Sequence, residues 1–123
     1  MRILVLEDNL ERIEFFKRVY KNHELYITHD INEAYHIVEN KELDIMFLDH
    51  DLDPDNFKAI KEGKTGYDFC KSLVEGRLQK HSIIYVHSMN PIGGQAMVNL
   101  LKDNGYEALW VPYHLLKLED RDG

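Results

Sequence analysis

Leu43–Pro54, L-D-I-M-F-L-D-H-D-L-D-P, is the stretch whose reading decides the fold. Ile45, Met46, Phe47 and Leu48 form an unbroken apolar run. In a short segment that ends in polar residues, such a run reads as a strand buried on both faces, as inside a parallel sheet. The end is abrupt, with Asp49, His50, Asp51 and Asp53 following at once. Side chains alternate along an extended chain, so Asp49 and Asp51 point one way while His50 points the other. Crowded carboxylates cost energy unless a cation, a shared proton or solvent separates their charges. The strand end is therefore a candidate for metal or phosphate chemistry. A solvated acidic loop would account for the aspartates alone equally well.

Outward from this strand the chain alternates. On the N-terminal side, Ile3–Leu6 reads as a buried strand ending in Glu7-Asp8-Asn9. Leu10, Ile13, Phe16, Val19 and Tyr20 then recur at helical spacing, with Asp8 and Glu11 as a capping box. Leu25–Thr28 is a weaker strand. Asp30 and Glu33 cap a second helix that carries Ile31, Ala34, Tyr35 and Val38 on one face. On the C-terminal side, residues 53–65 form an irregular insertion with Lys58, Lys61 and Lys64, read as solvated. Thr65 and Asp68 open a third helix with Phe69 or Cys70, Leu73 and Val74 as its buried stripe. Ile83–Val86 is a fourth strand. Asn90 and Pro91 start a fourth helix, with Met97, Leu100 and Leu101, that stops at Asn104-Gly105. Ala108–Val111 is the last strand, and residues 113–123 a short tail.

Five strands alternating with four helices predict a single doubly wound α/β domain over residues 1–123 with a five-stranded parallel sheet. Right-handed crossovers bring the C-terminal ends of all strands to one rim, where ligands of such sheets bind. Three of those ends are polar: Glu7-Asp8, Asp49-His50-Asp51 and His87-Ser88. Scattered surface decoration would not select the same end of three strands.

Composition sets the limits. The chain has 123 residues, 44% hydrophobic and 30% charged, which suits one globular domain. Its apolar runs are too short to span a membrane, and the early Glu7 argues against a secretory signal. One cysteine, Cys70, excludes an internal disulfide and fits a reducing, cytoplasmic compartment. A net charge of −7 excludes broad nucleic-acid binding but not a phosphorylated ligand held through a local metal.

Glu7-Asp8 closing the first strand, Asp49 closing the third and Thr65-Gly66 opening the next helix resemble the receiver domains of response regulators. That resemblance implies a flavodoxin-like fold, Mg²⁺ held by the acids and phosphorylation of the third-strand aspartate, here Asp49. Two positions depart from it. Receivers carry a lysine before the proline after strand five, where this chain has Val111 before Pro112. They also end in a full fifth helix, which the short tail predicts to be reduced or absent. Together L-D-H-D-L (48–52), T-G-Y-D (65–68) and H-S-M-N-P-x-G (87–93) resemble the cyclic-phosphate-processing receiver family. In that family histidines replace the lysine, and action on cyclic phosphate ends is implied.

The residues support such chemistry on their own terms. Glu7, Asp8, Asp49 and Asp51 are candidate ligands for a hard cation, Mg²⁺ or, beside histidine, Mn²⁺. Such an ion would polarise a phosphoryl oxygen. His50 and His87 are candidate acid–base groups alongside Asp49. Ser88, Asn90, Gly93 and Gly94, where the fourth helix begins, are candidate phosphate binders; a well-capped helix start is the plainer reading of the same residues. The expected function is a metal-dependent phosphoesterase acting on a 2′,3′-cyclic RNA end or a cyclic nucleotide. Two other readings use the same residues: a stand-alone receiver phosphorylated on Asp49 that signals through a partner, and a non-catalytic nucleotide- or protein-binding module.

Overall fold

The computed structural model describes residues 1–51 and 65–119. Five strands, β1 (Arg2–Leu6), β2 (Glu24–Thr28), β3 (Ile45–Leu48), β4 (Ile83–Val86) and β5 (Glu107–Trp110), alternate with five helices. These are α1 (Leu10–Val19), α2 (Ile31–Asn40), α3 (Gly66–Gly76), α4 (Pro91–Asp103) and α5 (Tyr113–Glu119). The sheet order is β2-β1-β3-β4-β5 and every pair is parallel. The order reverses between β1 and β3, the topological position at which such sheets take ligands. A fifth helix is present where the tail is expected to carry a reduced one or none, and its described residues are Tyr113–Glu119. The insertion at 53–65, with Asp53 and the three lysines, lies outside the described residues up to position 64.

Both faces of the sheet are covered, as the continuous apolar run of β3 requires. Met46 and Leu48 face α2, α3 and α4, and join Ala34, Val38, Phe69, Leu73, Met97 and Leu101. Phe47 faces the other way, with Ile3 and Val5, onto Phe15 and Phe16 of α1 and Tyr113 and Leu116 of α5. Burying a side chain such as Phe16, which is fully enclosed, stabilises the fold by roughly 1.5–3 kcal/mol.

Two details of α1 differ from the expected pattern. Leu10 is 78% exposed, and Phe15 takes its place in the core. The helix is capped by Asn9, whose side chain accepts from the Arg12 amide, and not by Asp8. The reason lies one residue upstream, where Glu7 Oε2 accepts from the amides of both Asp8 and Asn9 and holds the chain extended past Asp8. Asn90 caps α4, and Thr65 with Asp68 forms a complete capping box on α3, as expected. Asp30 caps α2 through the Asn32 amide, but its own amide donates to Thr28 Oγ1 and not to Glu33, so the box expected there is not formed. Among the described residues no helix is long and apolar enough to cross a membrane.

Candidate functional site

The site is the row of residues just beyond the last paired row of the sheet. Leu6, Leu48 and Val86 are in register across β1, β3 and β4, with Trp110 beside them on β5. The next amides continue the ladder: Asp49 N–H donates to Leu6 (3.1 Å), His87 N–H to Leu48 (3.0 Å) and Val111 N–H to Val86 (2.9 Å). Glu7 N–H donates likewise to Thr28 of β2 (3.0 Å). Glu7, Asp49 and His87 thus stand side by side, each two positions past Val5, Phe47 and Tyr85. Strand alternation then turns all three side chains toward α1.

Their ligand atoms lie within 4.8 Å of one another, and all three residues are buried. His87 Nε2 is 2.8 Å from Glu7 Oε1. Since a carboxylate can only accept, Nε2 carries the proton of this bond. The ring packs edge-on against Phe16, and its Nδ1 is buried with no partner among the described residues. Asp49 Oδ1 accepts from the His50 amide at 2.8 Å. Arg12, from the first turn of α1, brings Nη1 to 3.6 Å from Glu7 Oε1 and 3.8 Å from Asp49 Oδ2.

The two carboxyls titrate in opposite directions. Burial pushes Asp49 up, and the Glu7 charge beside it pushes further, to about 8. Burial also works on Glu7, but the His87 hydrogen bond and charge and the Asn9 and Asp8 amides outweigh it and hold the group low, at about 2. Without a cation, the pair is therefore one carboxylate beside one protonated acid, the arrangement that like charges in a dry site adopt. Two carboxyl groups in a closed cluster, one of them oriented by an imidazole, fit a divalent cation, which would let both acids ionise.

Other expected site residues fall elsewhere. Asp51 is exposed and accepts from His50 Nδ1 at 2.8 Å, outside the converging group. Asp8 is half-buried and also outside that group. His87, expected as an acid–base group open to substrate, is completely enclosed because its parity turns it onto Phe16. His50 has the opposite parity and its ring lies over Gly93, where a Cβ would come within 2.6 Å of it.

The proposed phosphate cradle is likewise filled from within. Ser88 Oγ accepts from the Asn90 amide, and Asn90 Oδ1 from the Gly93 amide. Gly94 makes room for Trp110, whose indole N–H donates to the Ser88 carbonyl at 2.8 Å. The two glycines admit the His50 and Trp110 rings.

Gly66 has a different duty. A Cβ there would lie 1.9 Å from the Asp49 carbonyl oxygen, so only glycine lets α3 start against the end of β3. Arg12 and Trp110 are the members that sequence reading missed, and Gly66 was noted there only as part of the Thr-Gly start of the helix. The one signal for Arg12 was a cation in the first turn after an acidic strand end.

The fold has many solved counterparts. Chemotaxis protein CheY4 of Vibrio cholerae is 18% identical, with 98% of this chain and 96% of that one covered at a TM-score of 0.65. A sensor protein from a Polaromonas species is 20% identical, covering 95% and 90%, with a TM-score of 0.66. A response regulator from Burkholderia pseudomallei, solved with a phosphorylated aspartic acid, calcium and citrate, is 16% identical over 95% of this chain and 63% of that one, with a TM-score of 0.63. At such identities the likeness is one of fold. No curated protein matches the chain at a significant level. A family model does match, over residues 2–103, a span from the first strand to the end of α4 that contains Glu7, Asp49 and His87. On that match, this chain belongs to the cyclic-phosphate processing receiver domain family.

Proposed function

We propose that the protein is a metal-dependent phosphoesterase that opens a cyclic phosphate, either a 2′,3′-cyclic RNA end or a cyclic nucleotide. The observation that carries this reading is the closed row of Glu7, Asp49 and His87 at the ligand rim of the sheet. Glu7 and Asp49, with His87 beside them, would hold Mg²⁺ or Mn²⁺. When bound, the ion supplies charge neutralisation and polarises a phosphoryl oxygen.

The chain's own residues divide the remaining work. His87 holds Glu7 in place through Nε2 and acts as a positioning residue. His50 is the histidine with access to the rim, its side chain 19% exposed. Asp51 engages its Nδ1, which leaves Nε2 as the nitrogen that exchanges a proton with the reacting group. In the net reaction, water adds to phosphorus, one ring P–O bond breaks and the departing oxygen takes up a proton. The product is a phosphomonoester.

The test is turnover of a panel of cyclic phosphates with and without Mg²⁺ or Mn²⁺. His50→Ala should lower kcat by about 10²–10⁴-fold. His87→Ala should act mainly on the ion, weakening its apparent affinity by about 10–100-fold. His81→Ala, exposed at the far end of β4, should match the parent. A parent protein that turns over none of the panel with either ion would end this reading.

A further inference from the structure

Arg12 occupies an unfavourable place for a cation. It lies in the first turn of α1, where the helix dipole favours negative charge. The basic residues Lys17 and Arg18, by contrast, stand in the last turn, where that dipole stabilises them. Its side chain is only 24% exposed, and its guanidinium lies over the Tyr113 ring, 5.0 Å from the centroid. Something must offset the misplaced charge, and the carboxyl pair does so. Yet Nη1 stops at 3.6 and 3.8 Å from the two oxygens, beyond hydrogen-bond range of either. The guanidinium is near both acids with its donors spent on neither. Its contact with Tyr113 is with a ring face and fixes none of its N–H donors in a hydrogen bond. At the other end of the row, where a fixed cation would balance the site, stands Val111.

We propose that Arg12 is a mobile guanidinium clamp. It neutralises the Glu7–Asp49 pair while no metal is bound, and when a divalent cation takes that place it turns its donors onto the phosphate of the substrate or product. This rests on the reading of the site as a phosphoesterase centre. The planar fork of arginine suits the two oxygens of a phosphate, which a point charge on lysine does not match. No bond is made or broken in the exchange; one cation replaces another beside the acids, and the displaced one finds the incoming anion.

Titration calorimetry of the parent, Arg12→Met and Arg12→Lys tests this, first with Mg²⁺ alone and then with inorganic phosphate at saturating Mg²⁺. Arg12→Met removes a competing charge about 4 Å from the acids, so it should bind Mg²⁺ about tenfold more tightly. The same variant should bind phosphate about tenfold more weakly. Arg12→Lys keeps the charge and loses the fork, so its Mg²⁺ affinity should match the parent while its phosphate affinity falls. This second variant carries the test if Arg12→Met does not fold.

Unchanged or weaker Mg²⁺ binding by Arg12→Met overturns the proposal, as does phosphate binding equal to the parent in both variants. If neither the parent nor Arg12→Met binds Mg²⁺, the metal reading and this one fall together. If both shifts appear and the parent still turns over no cyclic phosphate, the phosphoesterase reading falls and the clamp stands.

Discussion

Asp49 and Glu7 share one dry corner, and the division of charge between them sets the stability of the metal-free protein. Burial and the Glu7 charge raise Asp49 from an ordinary 3.8 to about 8. Between those values the folded state keeps a proton that the unfolded chain releases. Stability from this group is therefore complete at low pH and is lost as pH rises through about 8. Glu7 has the opposite sign: its contribution is present above its ordinary 4.5 and lost as pH falls toward 2. Asp49→Asn replaces the titrating acid with a permanently neutral group. In chelator, urea melts at pH 5 and pH 8.5 should show the parent losing stability at the higher pH and Asp49→Asn holding level. Mg²⁺ should restore the parent at pH 8.5, since a ligand of the native state stabilises it, and should do little for the variant. Equal losses in the two proteins would trace the alkaline effect to some other group.

Elements bring these residues together through close contacts at their ends. The start of α3 abuts the end of β3, with the Gly66 amide donating to the His50 carbonyl at 2.9 Å and no room for a Cβ above the Asp49 carbonyl. Thr65 and Asp68 fix the first turn of α3 by reciprocal capping, so Gly66 is held in that turn. Gly66→Ala must then push Asp49 out of the row. We expect it to cost about 1–3 kcal/mol, the usual range for forcing a methyl into a filled site. Mg²⁺ affinity should fall with it, because Asp49 is the residue displaced. A thermal melt and a Mg²⁺ titration of the same variant check both, and a Gly66→Ala protein equal to the parent in both would mean that the α3–β3 junction gives way freely. The junction of α4 with β5 works on the same principle, with Trp110 seated over Gly94 and bonded to Ser88.

At the scale of the whole molecule, the proposed hydrolysis and the signalling alternative make different demands on the receiver frame. Asp49 is buried, which limits the access of a phosphoryl donor to it. Val111 offers no charge to a phosphoryl group. Incubation with acetyl phosphate and Mg²⁺ should therefore leave little acyl phosphate detectable by intact mass. Stoichiometric labelling that Asp49→Asn abolishes would favour the signalling reading instead.

Much of this was legible in the chain itself. The apolar run Ile45–Leu48, the helical stripes and the caps at Asp30, Thr65 and Asn90 are local or periodic signals, and they determine the order of elements and hence the parallel sheet. Parallel topology in turn brings Glu7, Asp49 and His87 to one rim. What the chain could not declare was which side chains meet there. Asp51 was assigned its part from its neighbours in sequence and His87 from its place at a strand end, whereas the pleat turns His87 inward onto Phe16 and leaves Asp51 outside the cluster with His50. Arg12 and Trp110 reach the site or its walls from a helix and an edge strand, and their local patterns do not say which groups they meet there. Order along the chain is set by short-range periodicity; side-chain convergence is set by strand register and by helix ends packing without gaps, which exist only once the sheet has formed.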